Sequence, residues 1–275
     1  MVEYPAYVRY AFRAIRVIDA EEYENEAIEA FLARWGDLAL TTFARVLREG
    51  EYEDQQIAVF ALGYTESHWA QDLLLPYLSH KRPEVRWAAA LTLGKMRVEA
   101  AFLVLIQMLQ EFFPPHPPAD YSWYDVKHMH VAHLLGSWGK QEAVAALKET
   151  LQHIWRAELQ LKAQGDDVQM EAHYEDALAY ALGQLGAFDA LADLEASPSR
   201  HKLWAITLVL GYLNMERLAR DTLLGFLAGP FGKENRAALL APVPALLQEK
   251  MGFSEQEAAD FSEIYLNECE DRLFG

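Results

Sequence analysis

Five Leu-Gly pairs recur along this chain, each closing an apolar helical stretch: "IAVFALG" at Gly63, "AAALTLG" at Gly94, "VAHLLG" at Gly136, "LAYALG" at Gly183 and "AITLVLG" at Gly211. The leucines are Leu62, Leu93, Leu135, Leu182 and Leu210. One helical turn earlier come Ala58, Ala89, Val131, Leu178 and Ile206, followed by Val59, Ala90, Ala132, Ala179 and Thr207. These offsets fall on one stripe of a helix, with small or β-branched residues where a neighbour must come close. A single match would be ordinary. Five in register mean a repeat, and a repeat dictates the architecture of everything around it.

Most of these helices have an apolar companion: "HWAQDLLLPYLSH" after the first, "VEAAFLVLIQMLQ" after the second, "QEAVAALKETLQHI" after the third and "ERLARDTLLGFLAG" after the fifth. The unit is therefore a helix pair. No period-2 pattern competes with it, so an all-α fold is expected. Gly63 to Gly94 is 31 residues and Gly183 to Gly211 is 28, but Gly94 to Gly136 is 42 and Gly136 to Gly183 is 47. Two insertions make up the excess, near 111–124 ("EFFPPHPPADYSWY") and 156–171 ("RAELQLKAQGDDVQME"). Consecutive prolines exclude a helix through 114–118. The second insertion reads as a lengthened helix ending at a turn by Gly165. The ends read as helical caps: 1–50 before the array at 51–229, and 230–275 after it, the whole forming one domain. In the last cap, Ser254 with Glu257 three residues on is a capping box.

The chain has 275 residues, of which 52% are hydrophobic and 24% charged, ample for a core. Cys269 is the sole cysteine, which excludes an internal disulfide framework and a Cys-rich zinc site. Arg9, Arg13 and Arg16 interrupt the first apolar stretch, so neither a secretory signal nor a membrane span is expected, and the location expected is cytoplasmic. A net charge of −17 disfavours nucleic acid, whose binding rests on Lys/Arg contacts to phosphate, and disfavours anionic membranes equally. A neutral or basic protein partner is the easier electrostatic match.

"PEVRWAAALTLGKM" resembles the HEAT-like repeat of the phycobilisome-lyase type, through Val85, Arg86, Ala89, Ala90, Leu93 and Gly94. The resemblance implies a right-handed α-solenoid of helix pairs. Gln55, His128, Glu175 and Leu203 stand where that family often has Arg, so no continuous arginine ladder is expected. Di-iron hydroxylases built on similar repeats carry His-Glu pairs. Here Met129-His130 and Asp176-Ala177 occupy those places, and no His-Glu dipeptide occurs in the chain. The similar alkylpurine DNA glycosylases use a basic groove, which this charge opposes. Phosphate-binding glycine loops, Gly-x-Ser-x-Gly and His-Glu-x-x-His are also missing from the sequence.

A second face of the Leu-Gly helices is unusually apolar. Three residues before each glycine stand Phe60, Leu91, His133, Tyr180 and Leu208; seven before stand Gln56, Trp87, Met129, Asp176 and Trp204. Both rows point away from the Leu/Ala stripe. In the related solenoids such rows line the concave groove, where a solvated surface would carry charged residues. Three covers are open: the protein itself, with the 111–124 insertion folded over; a partner protein or peptide; or a planar apolar ligand. His130 and His133 are neighbours on one helix, and with His173 they form a weak metal-ligand candidate set. The reading is a non-catalytic scaffold that needs no cofactor. It binds protein or peptide through Phe60, Trp87, Leu91, Met129, His133, Asp176, Tyr180, Trp204 and Leu208. The alternative implied by the resemblance is a bilin-lyase-like enzyme or carrier using the same groove.

Overall fold

A computed structural model describes residues 36–63, 65, 67–111, 122–163, 172–213 and 242–260. Arg9, Arg13 and Arg16, the prolines of the 111–124 insertion, the turn at Gly165, the companion segment 216–229 and Cys269 lie outside the described residues. Among those described, every regular element is helical. The chain divides into two compact units, Met1–Met108 and Leu109–Gly275.

In the first unit, α1 (Asp37–Glu49) buries Phe43, Val46 and Leu47. Its last-turn carbonyls have no partner inside the helix. The carbonyl of Leu47 is satisfied from outside, by Gln55 Nε2 and by the Tyr77 hydroxyl, each at 3.0 Å. These two bonds tie α1 to α2 (Tyr52–Gly63) and to a 3-10 turn at Leu75–Ser79. The companion of the first repeat is thus split, with α3 (His68–Leu74) running into that turn at Pro76. Proline has no N–H to continue the ladder, so the helix tightens and stops there. α4 (Pro83–Lys95) opens on proline, whose missing N–H costs nothing at that position. It packs against α2 where Gly63 faces the Cγ2 methyl of Thr92, closer than any added Cβ could tolerate. A left-handed residue, Arg97 at φ 58°, ends α4. Val98 N–H then donates to Leu93 O at 2.9 Å and Arg97 N–H to Gly94 O at 3.0 Å, the paired bonds of a Schellman stop. α5 (Glu99–Glu111) follows.

In the second unit, α8 (Ala172–Gln184) lies between α6 (Ser122–Ser137) and α9 (Pro198–Tyr212). α7 (Ala143–Ala163) is 21 residues long, so the described part of the second insertion does lengthen a helix. The fourth repeat lacks a companion α-helix: a 3-10 turn at Phe188–Leu191 and extended chain fill the interval. α7 and the turn before it hold that segment with a polar ladder. Gln141 donates to Leu185 O at 2.7 Å, Gln152 exchanges bonds with the Glu195 backbone at 3.2 and 2.7 Å, and Lys148 pairs with Asp193 at 2.5 Å. With the companion abridged, α8 and α9 meet backbone to backbone. A Cβ on Gly183 would strike the Leu208 carbonyl, and one on Gly211 the Tyr180 carbonyl. Gly136 of α6 sits likewise against Ala181, whose Cα would be 2.7 Å from an added Cβ. α10 (Pro242–Met251) packs on α9. The helical run 255–260 follows, capped as the sequence suggests: Glu257 N–H donates to Ser254 Oγ at 3.3 Å, and Ser254 N–H to the Glu257 carboxylate at 3.0 Å.

Candidate functional site

The core stripe is buried in all five repeats. Leu62, Leu93, Leu135 and Leu182 are fully enclosed and Leu210 nearly so, as are their partners one turn earlier. The second face is divided. In the first unit, Phe60 is 38% exposed, Trp87 and Gln56 are half-buried, and Leu91 is covered. In the second unit, Met129, His133 and Asp176 are half-buried, whereas Tyr180, Trp204 and Leu208 are enclosed. Leu91, Tyr180, Trp204 and Leu208 are therefore interior residues, whereas helical register alone places them on an open groove.

The reason for Trp204 lies in its surroundings. Its ring packs edge-on to Trp155 of α7 at 6.3 Å and against His201 at 5.9 Å. Its indole N–H donates to the Glu175 carboxylate at 2.9 Å. The same carboxylate is 3.3 Å from Arg200 Nε, and Arg200 Nη2 donates to Glu158 of α7 at 2.8 Å. Both glutamates are 2% exposed, and the guanidinium also lies 5.4 Å from the centre of the Trp155 ring. Three helices thus share a buried knot of two carboxylates, one guanidinium and two indoles. Carboxylates are this deeply buried when they are ion-paired and hydrogen-bonded, and the knot meets that condition by itself.

Sequence patterning does not reveal this cluster, although a trace of it is visible there. Glu175 occupies the register where the resembling repeats favour Arg. Three of the five residues at that register act alike. Gln55 reaches the Leu47 carbonyl at 3.0 Å, Arg86 reaches the His80 carbonyl at 3.3 Å, and Glu175 reaches Arg200 and Trp204. Each ties the first turns of a Leu-Gly helix to a neighbouring element. In the fourth repeat the polarity is reversed, with the cation on the next helix.

Of the histidines, His133 meets the Tyr180 ring edge-on at 5.6 Å. His201 Nε2 lies 2.9 Å from the Leu194 carbonyl, which can only accept, so that nitrogen carries the proton. The side chains of His128 and of His173, the latter in the metal-candidate set, lie outside the described residues. Among the described residues, no three His, Cys, Asp or Glu side chains are grouped as metal ligands. No described helix is long and apolar enough to cross a membrane.

One acidic residue on the second face of α4 is also silent in the repeat pattern. Glu84 lies three residues before Trp87, and its Oε2 is shielded from solvent with no hydrogen-bond partner among the described residues. Geometry at this face offers partly exposed aromatic surface and an acceptor without a donor among the described residues.

A family model for HEAT repeats matches residues 40–112, the stretch that contains α2 through α5. No curated protein matches the chain. The helix pairs, the buried Leu/Ala stripe and the glycine contacts agree with that match: residues 40–112 are similar to HEAT repeats, and the described elements are all helical, as in the all-α solenoid class.

Proposed function

We propose that the protein is a non-catalytic scaffold that seats a neutral or basic protein or peptide segment on its Leu-Gly helices. The observation that carries this reading is in the first unit. Phe60 stays 38% exposed on α2, and Trp87 stays half-buried on the helix packed against it, while every core-stripe neighbour is enclosed. Aromatic residues left open on a rigid helical surface are what interface anchors require. Met129, His133 and Asp176 form the accessible part of the corresponding face in the second unit. Tyr180, Trp204 and Leu208 drop out as anchors and act as supporting core. The excess of acidic residues favours a partner of opposite sign.

Selection of a randomised peptide library against the full chain tests this. The reading expects related peptides that bind wild type, lose affinity for Trp87→Ala and Phe60→Ser, and keep it for Leu103→Ala, which alters an exposed side chain on α5. Melting temperatures of these variants should stay close to wild type. If no peptide family emerges, or if Trp87→Ala lowers stability and leaves binding intact, the scaffold reading fails.

A further inference from the structure

We infer that the open face of α2 and α4 takes a cationic side chain, a lysine or arginine of a protein segment, with Glu84 as its counter-ion and Trp87 as the surface for its stem. The inference rests on the scaffold reading and names the chemistry of the partner.

Residues three apart on a helix are neighbours, so Glu84 and Trp87 present their side chains side by side. Glu84 is in the first turn of α4. Its Oε2 is shielded from solvent and, among the described residues, accepts no hydrogen bond. A carboxylate oxygen withdrawn from water without a donor is destabilising, and the stabilising complement is an ammonium or guanidinium. No described cation donates to that oxygen. Lys81 and Arg82 are exposed ahead of the helix, and Arg86 directs Nη1 to the His80 carbonyl at 3.3 Å.

Other occupants fit less well. An anion would be repelled by Glu84 and by the field of a chain carrying −17. A wholly apolar segment would cover Phe60 and Trp87 but leave the carboxylate oxygen without a donor. A cationic side chain satisfies both features: its head reaches Glu84, and its stem or planar head packs on the Trp87 indole. Phe60, 38% exposed, then takes an apolar residue beside the cation.

The experiment uses synthetic peptides with the consensus from the library selection and the full-length protein. Lysine or arginine should be enriched at one position, and replacing it by glutamine should weaken binding by about tenfold, the usual scale for a charge-assisted contact. Glu84→Gln should weaken the wild-type peptide by a similar factor, and combining both changes should cause little further loss. Because Glu84 Oε2 has no partner among the described residues, Glu84→Gln should melt with wild type; Glu84→Ala provides a second variant if it does not. Peptides that bind through Trp87 without a basic position, or that ignore Glu84→Gln, overturn this inference and leave the scaffold reading standing. Failure to select any peptide removes both.

Discussion

Arg200 shows how much one side chain can hold. It is 18% exposed, and it pairs with Glu158 and Glu175, each 2% exposed and each on a different helix. Replacing it by methionine keeps most of the volume but leaves two buried carboxylates without their guanidinium. Breaking such a pair typically costs about 3–5 kcal/mol, far more than an exposed pair contributes. Arg200→Met should shift the urea midpoint down accordingly, and adding Glu158→Gln should recover part of the loss. An undiminished midpoint would mean that the knot contributes nothing net. Arg97 is the opposite case, a residue in a conformation it does not favour. Left-handed geometry costs an L-residue about 1–2 kcal/mol, while glycine adds about 0.5–1 kcal/mol of entropy to the unfolded chain. The relief is the larger effect. Arg97→Gly should therefore raise stability by about 0.5–1 kcal/mol, again read from the urea midpoint.

At the scale of elements, the Leu-Gly glycines are not equivalent. Gly63 faces a side-chain methyl, Gly183 a main-chain carbonyl. Overpacking a close contact costs about 1–3 kcal/mol, and whether the obstacle can give way decides the outcome. Gly63→Ala should destabilise and be rescued by Thr92→Ser. Gly183→Ala should destabilise at least as much, and no side-chain change on α9 should rescue it. Equal rescue in both would contradict the backbone contact between α8 and α9. The capping box carries a pH dependence of its own. Hydrogen bonds from Ser254 hold the Glu257 carboxyl below its ordinary value, with Lys202 adding a smaller effect. Its contribution to the last described helix is thus complete above the unfolded-state value and is lost as pH falls through the lowered folded-state value. In an NMR titration, the Ser254 amide should shift with a midpoint below the ordinary glutamate range. Ser254→Thr should preserve that midpoint, and Ser254→Ala should raise it.

The whole molecule carries 41 acidic and 24 basic residues, and that imbalance acts on every part of it. Like-charge repulsion opposes the compact state, and salt screens it over a Debye length of about 8 Å at physiological ionic strength. Salt also weakens exposed pairs such as Arg45–Glu49 and Arg156–Glu195, but these contribute little each. The melting temperature at neutral pH should therefore rise as sodium chloride is added; a fall would show that local pairs outweigh the net charge. At this scale the repeat is fully legible in the sequence. Leu-Gly spacing and the companion helices specify the all-α repeat, because a core stripe recurring in register has one stable use, burial against the next copy. The capping box at Ser254 and Glu257 is legible too, since its partners are three residues apart.

The second face is legible as apolar, but its exposure is not. Phe60 and Trp204 look alike in the sequence, aromatic residues on corresponding faces of corresponding helices. Exposure depends on what comes from elsewhere, and around Trp204 that is Trp155 of α7 and Glu175 of α8. Local periodicity thus determined which residues share a face, since helical geometry is set over a few residues. Tertiary packing alone decided which faces stay open and which charges are paired, because both depend on contacts distant in sequence.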